Sequence, residues 1–407
     1  MWTWKEYRGK VDAFAKSLMS LGFEPFDIIN IIGFNSREWF VSDLGAIAAG
    51  GVAAGIYTTN LPDACKYISS HSAAKVIVVD GIHQLKKYIG IAKDLPALKA
   101  IVMWGSEDLP PDIQTTCPSV PVYTFDTFLT LGTDVSDELL TARKDALAPN
   151  QTCTLIYTSG TTGPPKAVMI THDNITWVVR VTLTCTPNGV DETDSMISFL
   201  PLSHVAAQLI DIHMPLVTGS TTYFAMPDAL KGSLGMTLKE VRPTFFFAVP
   251  RVFEKIYEKM MHVVKSMTGV QKSMSTWAKD QIIHYWESNE YGAADSASFD
   301  FFYPITAMNS FIARKLVHKV HVALGLDRCK GIFVSAAPIE VKILKYFASL
   351  DLPIMELFGQ SECSGPHSVN TLRAFKFGTV GRPLQGTETK LDPETGELCC
   401  TYHIGCT

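Results

Sequence analysis

The chain has 407 residues, of which 47% are hydrophobic and 18% charged, so it is long enough for two or three packed units and too apolar to be intrinsically disordered. Its net charge of −5 and the lack of a basic run argue against a nucleic-acid partner. The longest apolar run, residues 44–57, is shorter than the roughly 20 residues of a membrane-spanning helix. Charges interrupt residues 1–8, which predicts a cytoplasmic protein without a secretory signal and leaves peripheral contact with the endoplasmic reticulum or another membrane open.

Apolar strands alternate with helices from the start of the chain, which predicts an α/β protein with parallel sheets covered on both faces. The first helix carries apolar residues at helical spacing from Val11 to Met19 and ends at Gly22. Further helices are predicted after Ser36 and from Pro62. The predicted strands of this first block are residues 28–34, 52–57 and 75–80. The polar segment 131–151 is predicted to be a connection.

A second alternating block follows that connection. Its predicted strands are residues 153–157, 195–200, 221–224, 244–249, 331–335 and 352–358. A hairpin is predicted from 388–391 and 397–402, with the turn-rich residues 392–396 between them. The sequence therefore predicts two packed α/β subdomains, 1–150 and 151–380, followed by the start of a β-rich part at 381–407.

Cysteine and histidine give weak signals in this chain. The nine cysteines are odd in number and irregularly spaced, which favours reduced thiols over a disulfide framework. Four possible ligands crowd the end of the chain, but no second ligand pair supports a zinc site there: Cys399, Cys400, His403 and Cys406. His318 and His321, three apart on a predicted helix, are interpreted as part of a solvent-exposed face.

The stretch Tyr-Thr-Ser-Gly-Thr-Thr-Gly-Pro-Pro-Lys at 157–166 has the composition of a polyphosphate site. Glycines allow several N–H groups to point at one anion, hydroxyls add donors, and Lys166 adds positive charge. The predicted phosphate-binding residues are Thr158, Ser159, Gly160, Thr161, Thr162, Gly163 and Lys166. The stretch is no P-loop, because Lys166 follows Pro165 and precedes no Ser or Thr. From composition alone, a loop without any ligand stays an alternative.

This decapeptide resembles the phosphate-loop signature of the adenylate-forming superfamily, which includes acyl-CoA synthetases, beetle luciferases and peptide-synthetase adenylation domains. Four more stretches resemble motifs of that superfamily, in the same order. They are Leu-Pro-Leu-Ser-His at 200–204, Ser-Ala-Ala-Pro at 335–338, Leu-Phe-Gly-Gln-Ser-Glu at 357–362 and Gly-Thr-Val-Gly-Arg-Pro at 378–383.

The resemblance implies a role for each motif. His204 would lie near the carboxylate that is activated, Ser361 would touch the α-phosphate, and Glu362 would hold Mg²⁺, which makes Lys166, His204 and Glu362 the catalytic set. The residues implied at adenine are Ser335, Ala336, Ala337, Pro338, Phe358, Gly359 and Gln360. The superfamily more often has Tyr and Thr at the positions of Phe358 and Ser361, and both replacements keep a stacking ring and a hydroxyl. Without the resemblance, His204 would be interpreted as a core histidine and 335–338 as an ordinary strand-to-helix turn.

Outside the nucleotide motifs, the chain most resembles bubblegum-type long-chain acyl-CoA synthetases. The stretches that carry this likeness are residues 34–40, 53–57 and 248–256. In the last of them an apolar stripe begins that is interpreted as core packing on one helix face: Val252, Phe253, Ile256, Tyr257, Met260 and Val263. The resemblance permits a second role, as a wall of the acyl tunnel.

The resemblance implies a long-chain fatty acid–CoA ligase that uses ATP, Mg²⁺ and coenzyme A, and releases AMP and pyrophosphate. Two alternatives remain: a pseudoenzyme that binds nucleotide and acyl chain with little turnover, and an oxidoreductase of the luciferase type. Members of the superfamily continue beyond the position of Leu398 with a ribose-binding Asp, a hinge and a small domain that carries a catalytic Lys. The resemblance thus implies that this chain lacks the small C-terminal domain and is impaired by that loss.

Overall fold

A computed structural model describes residues 2–158, 163–186, 189–291, 303–396 and 398–402, with backbone alone at 303–310 and 398–402. Its contacts divide the chain into two compact units. Unit 1 comprises Met1–Trp177 and Leu200–Ile212, and unit 2 comprises Val178–Phe199 and His213–Thr407. Both units combine helices with parallel strands, which confirms the predicted α/β class.

Unit 1 is built on a seven-stranded sheet with the order β5-β4-β3-β1-β2-β6-β7. Its strands are β1 (Ile28–Ile32), β2 (Val52–Ile56), β3 (Val76–Asp80), β4 (Ala100–Trp104), β5 (Val122–Thr124), β6 (Thr152–Thr158) and β7 (Lys166–Thr171). All neighbours are parallel except β6 and β7. The buried Val, Ile and Leu side chains of β1 to β6 form a continuous core, as expected for strands covered on both faces.

The helices of unit 1 begin where the sequence offers caps. They are α1 (Trp4–Ser20), α2 (Arg37–Ala48), α3 (Pro62–His71), α4 (Gly81–Ile89), α5 (Ile113–Thr116), α6 (Phe125–Thr130), α7 (Asp137–Asp145), the first part of α8 (His172–Thr184) and α9 (Val205–Gln208). Thr3 and Glu6 form a capping box on α1, Ser36 caps α2, and Pro62 opens α3. The helices predicted at these three places are confirmed.

Unit 2 holds a five-stranded sheet and two strand pairs. The five-stranded order is β10-β11-β12-β13-β14, from β10 (Phe245–Ala248), β11 (Gly331–Val334), β12 (Ile354–Gln360), β13 (Gly365–Val369) and β14 (Arg382–Pro383). The pairs are β8 (Ser195–Ser198) with β9 (Thr221–Phe224), which is parallel, and β15 (Thr387–Leu391) with β16 (Leu398–Tyr402), which is antiparallel. The second pair confirms the predicted hairpin.

Unit 2 has helices both before β10 and between β10 and β12 along the chain. Beyond the end of α8 they are α10 (Met214–Thr218), α11 (Leu234–Val241), α12 (Pro250–Ser266), α13 (Gly269–Ser288), α14 (Tyr303–Leu324) and α15 (Val341–Ser349). A core of α13, α14 and α15 side chains includes Ala278, Ile282, Val317 and Ala348.

The structure corrects three expectations from the sequence. Segment 131–151 is not merely a connection, because α7 forms within it and Ser136 caps its start. His318 is exposed as predicted, but His321 is half-buried and its Nε2 donates to the carbonyl oxygen of Leu350. The stripe on α12 splits: Phe253 is fully buried, whereas Val263 is 63% exposed, so core packing is confirmed only for part of it.

The predicted boundary at 150/151 also differs from the sheet topology. β6 and β7 lie on the edge of the first sheet, because β6 pairs in parallel with β2. Among the described cysteines, six are free thiols, as predicted: Cys65, Cys117, Cys153, Cys185, Cys329 and Cys363. The side chains of Cys399 and Cys400, together with His403 and Cys406, lie outside the described residues.

Candidate functional site

The predicted phosphate-binding stretch joins β6 to β7 in unit 1. Thr158, the last residue of β6, pairs with Lys166, the first residue of β7. The Lys166 side chain is exposed and forms no ion pair with any carboxylate in the described part of the chain. Gly163 has a φ of +90°, a conformation that favours glycine. The remaining predicted residues of this turn, Ser159, Gly160, Thr161 and Thr162, lie outside the described residues.

Two tyrosines and a histidine form hydrogen bonds on either side of this stretch, and two of the three, Tyr67 and His71, were not identified by the sequence analysis. The Tyr67 hydroxyl donates to the Pro165 carbonyl oxygen at 3.0 Å, one residue before Lys166. On the other side, the Tyr157 hydroxyl lies 2.9 Å from Nδ1 of His71, whose ring stacks on that of Tyr67. Burial raises the pKa of Tyr157 to about 12, so its hydroxyl stays protonated. The turn therefore has hydrogen-bonded anchors on both sides, at Tyr157 on β6 and at Pro165 directly before β7.

His204 begins the short helix α9 in unit 1. Its Nδ1 accepts a hydrogen bond from the Ala206 N–H at 3.2 Å. Burial lowers the pKa of His204, which favours the neutral ring at pH 7. A neutral imidazole whose Nδ1 accepts must carry its proton on Nε2, so Nε2–H is the group that can donate to an oxygen.

Three residues hold the turn at 200–204 in place. The Asn35 side-chain amide donates to the Leu200 carbonyl oxygen at 2.8 Å, and the Gln208 amide donates to that of Leu202 at 2.8 Å. A Cβ on Gly55 would lie 2.7 Å from Cα of Ser203, so the turn packs closely on β2. Since β2 and β6 are parallel neighbours, this contact brings His204 and the Lys166 turn to the carboxyl edge of one sheet. Parallel α/β sheets commonly bind ligands at that edge.

The predicted adenine residues all lie in unit 2. Residues 335–338 directly follow β11, and Ser335 is buried while the side chains of Ala336, Ala337 and Pro338 are exposed. Ala336 has a φ of +77°, in the left-handed region that costs energy for any residue with a Cβ. The stretch thus presents a surface of small exposed side chains.

The other predicted residues follow on β12, which lies beside β11 in parallel. The Phe358 ring is half-buried and meets His367 edge-on at 6.4 Å between centroids. Gln360 donates to the Cys363 sulfur at 3.2 Å. Ser361 is buried, whereas the Glu362 side chain is exposed and forms no ion pair within the described residues. The structure therefore brings 335–338 and 358–362 together at the same sheet edge.

Glu356 was missed by the sequence analysis. Its carboxylate accepts a hydrogen bond from the Gly378 N–H at 3.2 Å and is 9% exposed. Burial raises the pKa of Glu356 to about 7. This contact ties β12, two residues before Phe358, to the turn at 378–383, whose resemblance to a superfamily motif was the available signal.

Two of the predicted site residues suit ligands of opposite charge. Lys166 offers an uncompensated positive charge, and Glu362 offers hard carboxylate oxygens of the type that Mg²⁺ prefers. Within the described ranges, no group of three or more His, Cys, Asp or Glu could hold a metal ion alone. Glu362 therefore fits a metal whose other ligands come from a substrate such as ATP.

The sequence profile of the AMP-binding enzyme family matches residues 1–405. The chain belongs to this family. It is 43% identical to the long-chain-fatty-acid–CoA ligase ACSBG2 of Xenopus laevis over 96% of this chain and 51% of the relative. It is 38% identical to ACSBG1 of Mus musculus, over 95% of this chain and 52% of the relative. The chain thus spans about half the length of these curated relatives.

Two solved structures have folds similar to that of this chain. The A-PCP didomain of a carboxylic acid reductase from Segniliparus rugosus, in complex with AMP, superposes with a TM-score of 0.71 at 20% identity, over 98% of this chain and 52% of that one. The anthranilate–CoA ligase AuaEII, with anthranoyl-AMP, gives a TM-score of 0.66 at 17% identity, over 97% and 61%. Of the helices described, none has the combined length and apolarity needed to cross a membrane.

Proposed function

We propose that the chain carries the adenylating part of a long-chain fatty acid–CoA ligase. The observation that carries this proposal is the exposed Lys166, which has no ion-pair partner within the described ranges and lies at the end of an anchored turn, at the carboxyl edge of a mainly parallel sheet. Membership in the AMP-binding family and two relatives that are named long-chain-fatty-acid–CoA ligases support it. The turn 158–166 binds ATP phosphates, and 335–338 with 358–360 bind adenine.

The proposed reaction has two steps. A fatty carboxylate oxygen attacks the α-phosphorus of ATP, the bond to the β-phosphate oxygen breaks, and acyl-AMP and pyrophosphate form. The thiolate of coenzyme A then attacks the acyl carbon and AMP leaves. His204, neutral and with its proton on Nε2, orients the fatty carboxylate by donating a hydrogen bond. Lys166 offsets negative charge on the phosphates.

Three further parts of the proposal concern Mg²⁺, coenzyme A and location. Glu362 would hold Mg²⁺ together with ATP oxygens, and Ser361 would donate to the α-phosphate; the metal would supply positive charge at the phosphates. Coenzyme A is the co-substrate of the second step. A cytoplasmic location, with peripheral contact to the endoplasmic reticulum or another membrane, stays a prediction of the sequence.

The proposed role of Lys166 predicts a large loss of ATP binding or turnover in Lys166→Ala. Removing a charge that stabilises polyphosphate oxygens typically costs a few kcal/mol, so we expect an effect of roughly 10²-fold. Titration calorimetry with ATP and Mg²⁺ measures it. The matched control is Lys86→Ala, since Lys86 is also an exposed lysine of unit 1 and lies outside the site. Unchanged ATP affinity and turnover in Lys166→Ala would refute the assignment.

The activity itself is tested with palmitate, ATP, Mg²⁺ and coenzyme A, following pyrophosphate release and acyl-CoA by chromatography. Both products are expected from the proposed ligase. ATP binding without pyrophosphate release would instead favour a nucleotide-binding pseudoenzyme. Light emission with an oxidised acid would favour the luciferase type.

A further inference from the structure

A cavity of about 1250 Å³ lies within unit 2, among α11, α12, α13 and α14. It exceeds the roughly 300–1,000 Å³ of ordinary small-molecule sites. Its walls are mainly aliphatic, with side chains that include Val252, Ile256, Met260, Leu316, Val317 and Val320. Three of these, Val252, Ile256 and Met260, belong to the apolar stripe of α12, so part of that stripe faces this space. Such walls suit a long aliphatic chain.

The charges around the cavity are strongly one-sided. Among the described residues, the lining contains seven basic side chains and one acidic side chain, Glu258, which pairs with Arg251. The other six are lysines, and none of them forms an ion pair with a described carboxylate: Lys231, Lys239, Lys255, Lys259, Lys279 and Lys319. The whole chain has a net charge of −5, so this local excess is opposite to the average. Lysines that form no ion pair with a described carboxylate, beside an apolar cavity, favour an anionic ligand.

One of these lysines sits deeper than the rest. Lys279 on α13 is half-buried, and its Nζ lies 4.9 Å from the ring centroid of Tyr346 on α15. Burial lowers the pKa of Lys279, because its ammonium group is partly removed from water. The Tyr346 hydroxyl is buried and has no hydrogen-bond partner among the described residues. An ammonium group and an unsatisfied hydroxyl in the same wall are donors for an anionic head group.

From this geometry we infer that the cavity binds a single-chain amphiphile with an anionic head group, of the fatty carboxylate type. The aliphatic chain lies between α12 and α14, and the head group accepts from Lys279 and Tyr346. The inference goes beyond the proposed function, because neither His204 nor residues 335–338 and 358–362 line the cavity. A carboxylate bound at Lys279 does not contact His204, which is the group proposed to orient the fatty carboxylate for reaction. The cavity is therefore a second, non-reacting amphiphile site.

The walls and the head group make separate contributions that a ligand series can resolve. Each methylene that enters an aliphatic cavity strengthens binding about fourfold. Affinity should therefore rise steeply from octanoate to laurate and level off once the chain fills the space. Dodecanol should bind more weakly than laurate, and dodecylamine more weakly still, because only laurate carries the charge that complements the lysines.

The test uses the whole chain, without nucleotide, and measures fatty-acid binding by calorimetry below the micellar concentration. Lys279→Met keeps the aliphatic stem and removes the charge, so laurate should bind about tenfold more weakly while dodecanol is unaffected. Lys272→Met is the matched control, since Lys272 is exposed on the same helix and does not line the cavity. Met260→Trp narrows the cavity and should weaken both ligands. Thermal unfolding verifies that each variant is folded.

Several outcomes would overturn the inference. Laurate binding that is unchanged in both Lys279→Met and Met260→Trp would place the ligand elsewhere. Binding that is lost only in His204→Ala would place the chain at the proposed reacting site. Association with anionic vesicles but not with monomeric laurate would show a membrane surface instead. Since ATP binding is measured separately with Lys166→Ala, this inference and the proposed function can each fail alone.

Discussion

The turn that leads to Lys166 and the turns around Glu362 are held in different ways. In unit 1, side-chain hydroxyls hold the turn, and a Cβ added to Gly163 would meet no described atom within 4 Å. In unit 2, backbone lies directly against backbone. A Cβ on Gly359 would lie 2.1 Å from the Gly365 carbonyl oxygen, and one on Gly381 would lie 2.1 Å from that of Val369. Single hydrogen bonds therefore hold the turn before Lys166, whereas the backbone at Gly359 and Gly381 has no room for one extra carbon atom.

The largest effect that we expect from this difference concerns Gly381→Ala. Gly381 has a φ of +76°, so alanine adds conformational strain to a backbone overlap, and the free energy of unfolding should fall by roughly 2 to 5 kcal/mol. Gly163→Ala is the matched control, because its φ of +90° brings strain without overlap and a loss of only about 1 to 2 kcal/mol. Urea unfolding measures both. Equal losses would show that the packing at Gly381 is not tight.

A second, smaller effect concerns how the stability of the chain depends on pH. The pKa of Glu356 is raised to about 7 by burial, so its carboxyl binds a proton more tightly in the folded than in the unfolded chain. The stability that this proton contributes is complete below about pH 4.5 and is lost as pH rises through 7. The free energy of unfolding of Glu356→Gln, relative to that of the original chain, should thus rise by about 2 to 3 kcal/mol from pH 5 to pH 8.

Urea unfolding at both pH values checks this. The difference between the free energies of unfolding of the two proteins removes the contributions of the other titrating groups. Asp43→Asn is the counterpart in unit 1. Asp43 is 1% exposed, neither oxygen has a described hydrogen-bond partner, and burial raises its pKa to about 7. It should show the same pH window without any change in ATP binding. If the free energy of unfolding depends on pH in the same way for Glu356→Gln and for the original chain, the pKa of Glu356 is not raised by burial.

Local sequence patterns predicted much of the fold, because strands and caps depend on nearby residues. The strand at 221–224 has the bounds predicted for it. The helix α7 was missed since only Leu140 is buried on it, although Ser136 at its start and Arg143 and Lys144 near its end were usable signals. The anchors of the Lys166 turn could not be predicted this way, because Tyr67 and Pro165 are 98 residues apart.

The candidate site shows the same limit. Its motifs were found through family resemblance, and the structure places 335–338 and 358–362 at one sheet edge through the pairing of β11 with β12. The cavity was not predicted, although part of its wall was visible as the stripe on α12. Its other walls come from α11, α13 and α14, and no pattern within one helix shows which helices pack around a space.

The smallest expected effect is that of Tyr67→Phe. The change removes one hydroxyl and leaves the Pro165 carbonyl, one residue before Lys166, without its donor. A hydrogen bond of this kind contributes about 1 kcal/mol, so ATP binding should weaken about fivefold if the anchor positions Lys166. Calorimetry with ATP measures this change. Thermal unfolding should show only a small shift, because the ring and its stacking on His71 remain.

A double variant separates positioning from general stability. If Tyr67 acts through Lys166, Tyr67→Phe should have almost no further effect on ATP binding once Lys166→Ala is present, since residues that act on the same interaction are not additive. Tyr123→Phe serves as the control, because Tyr123 lies on β5, at the opposite edge of the same sheet. A fivefold loss that persists in the Lys166→Ala background would mean that Tyr67 shapes the turn independently of the lysine. Loss of binding in neither background would show that β6 and β7 position Lys166 without this hydroxyl.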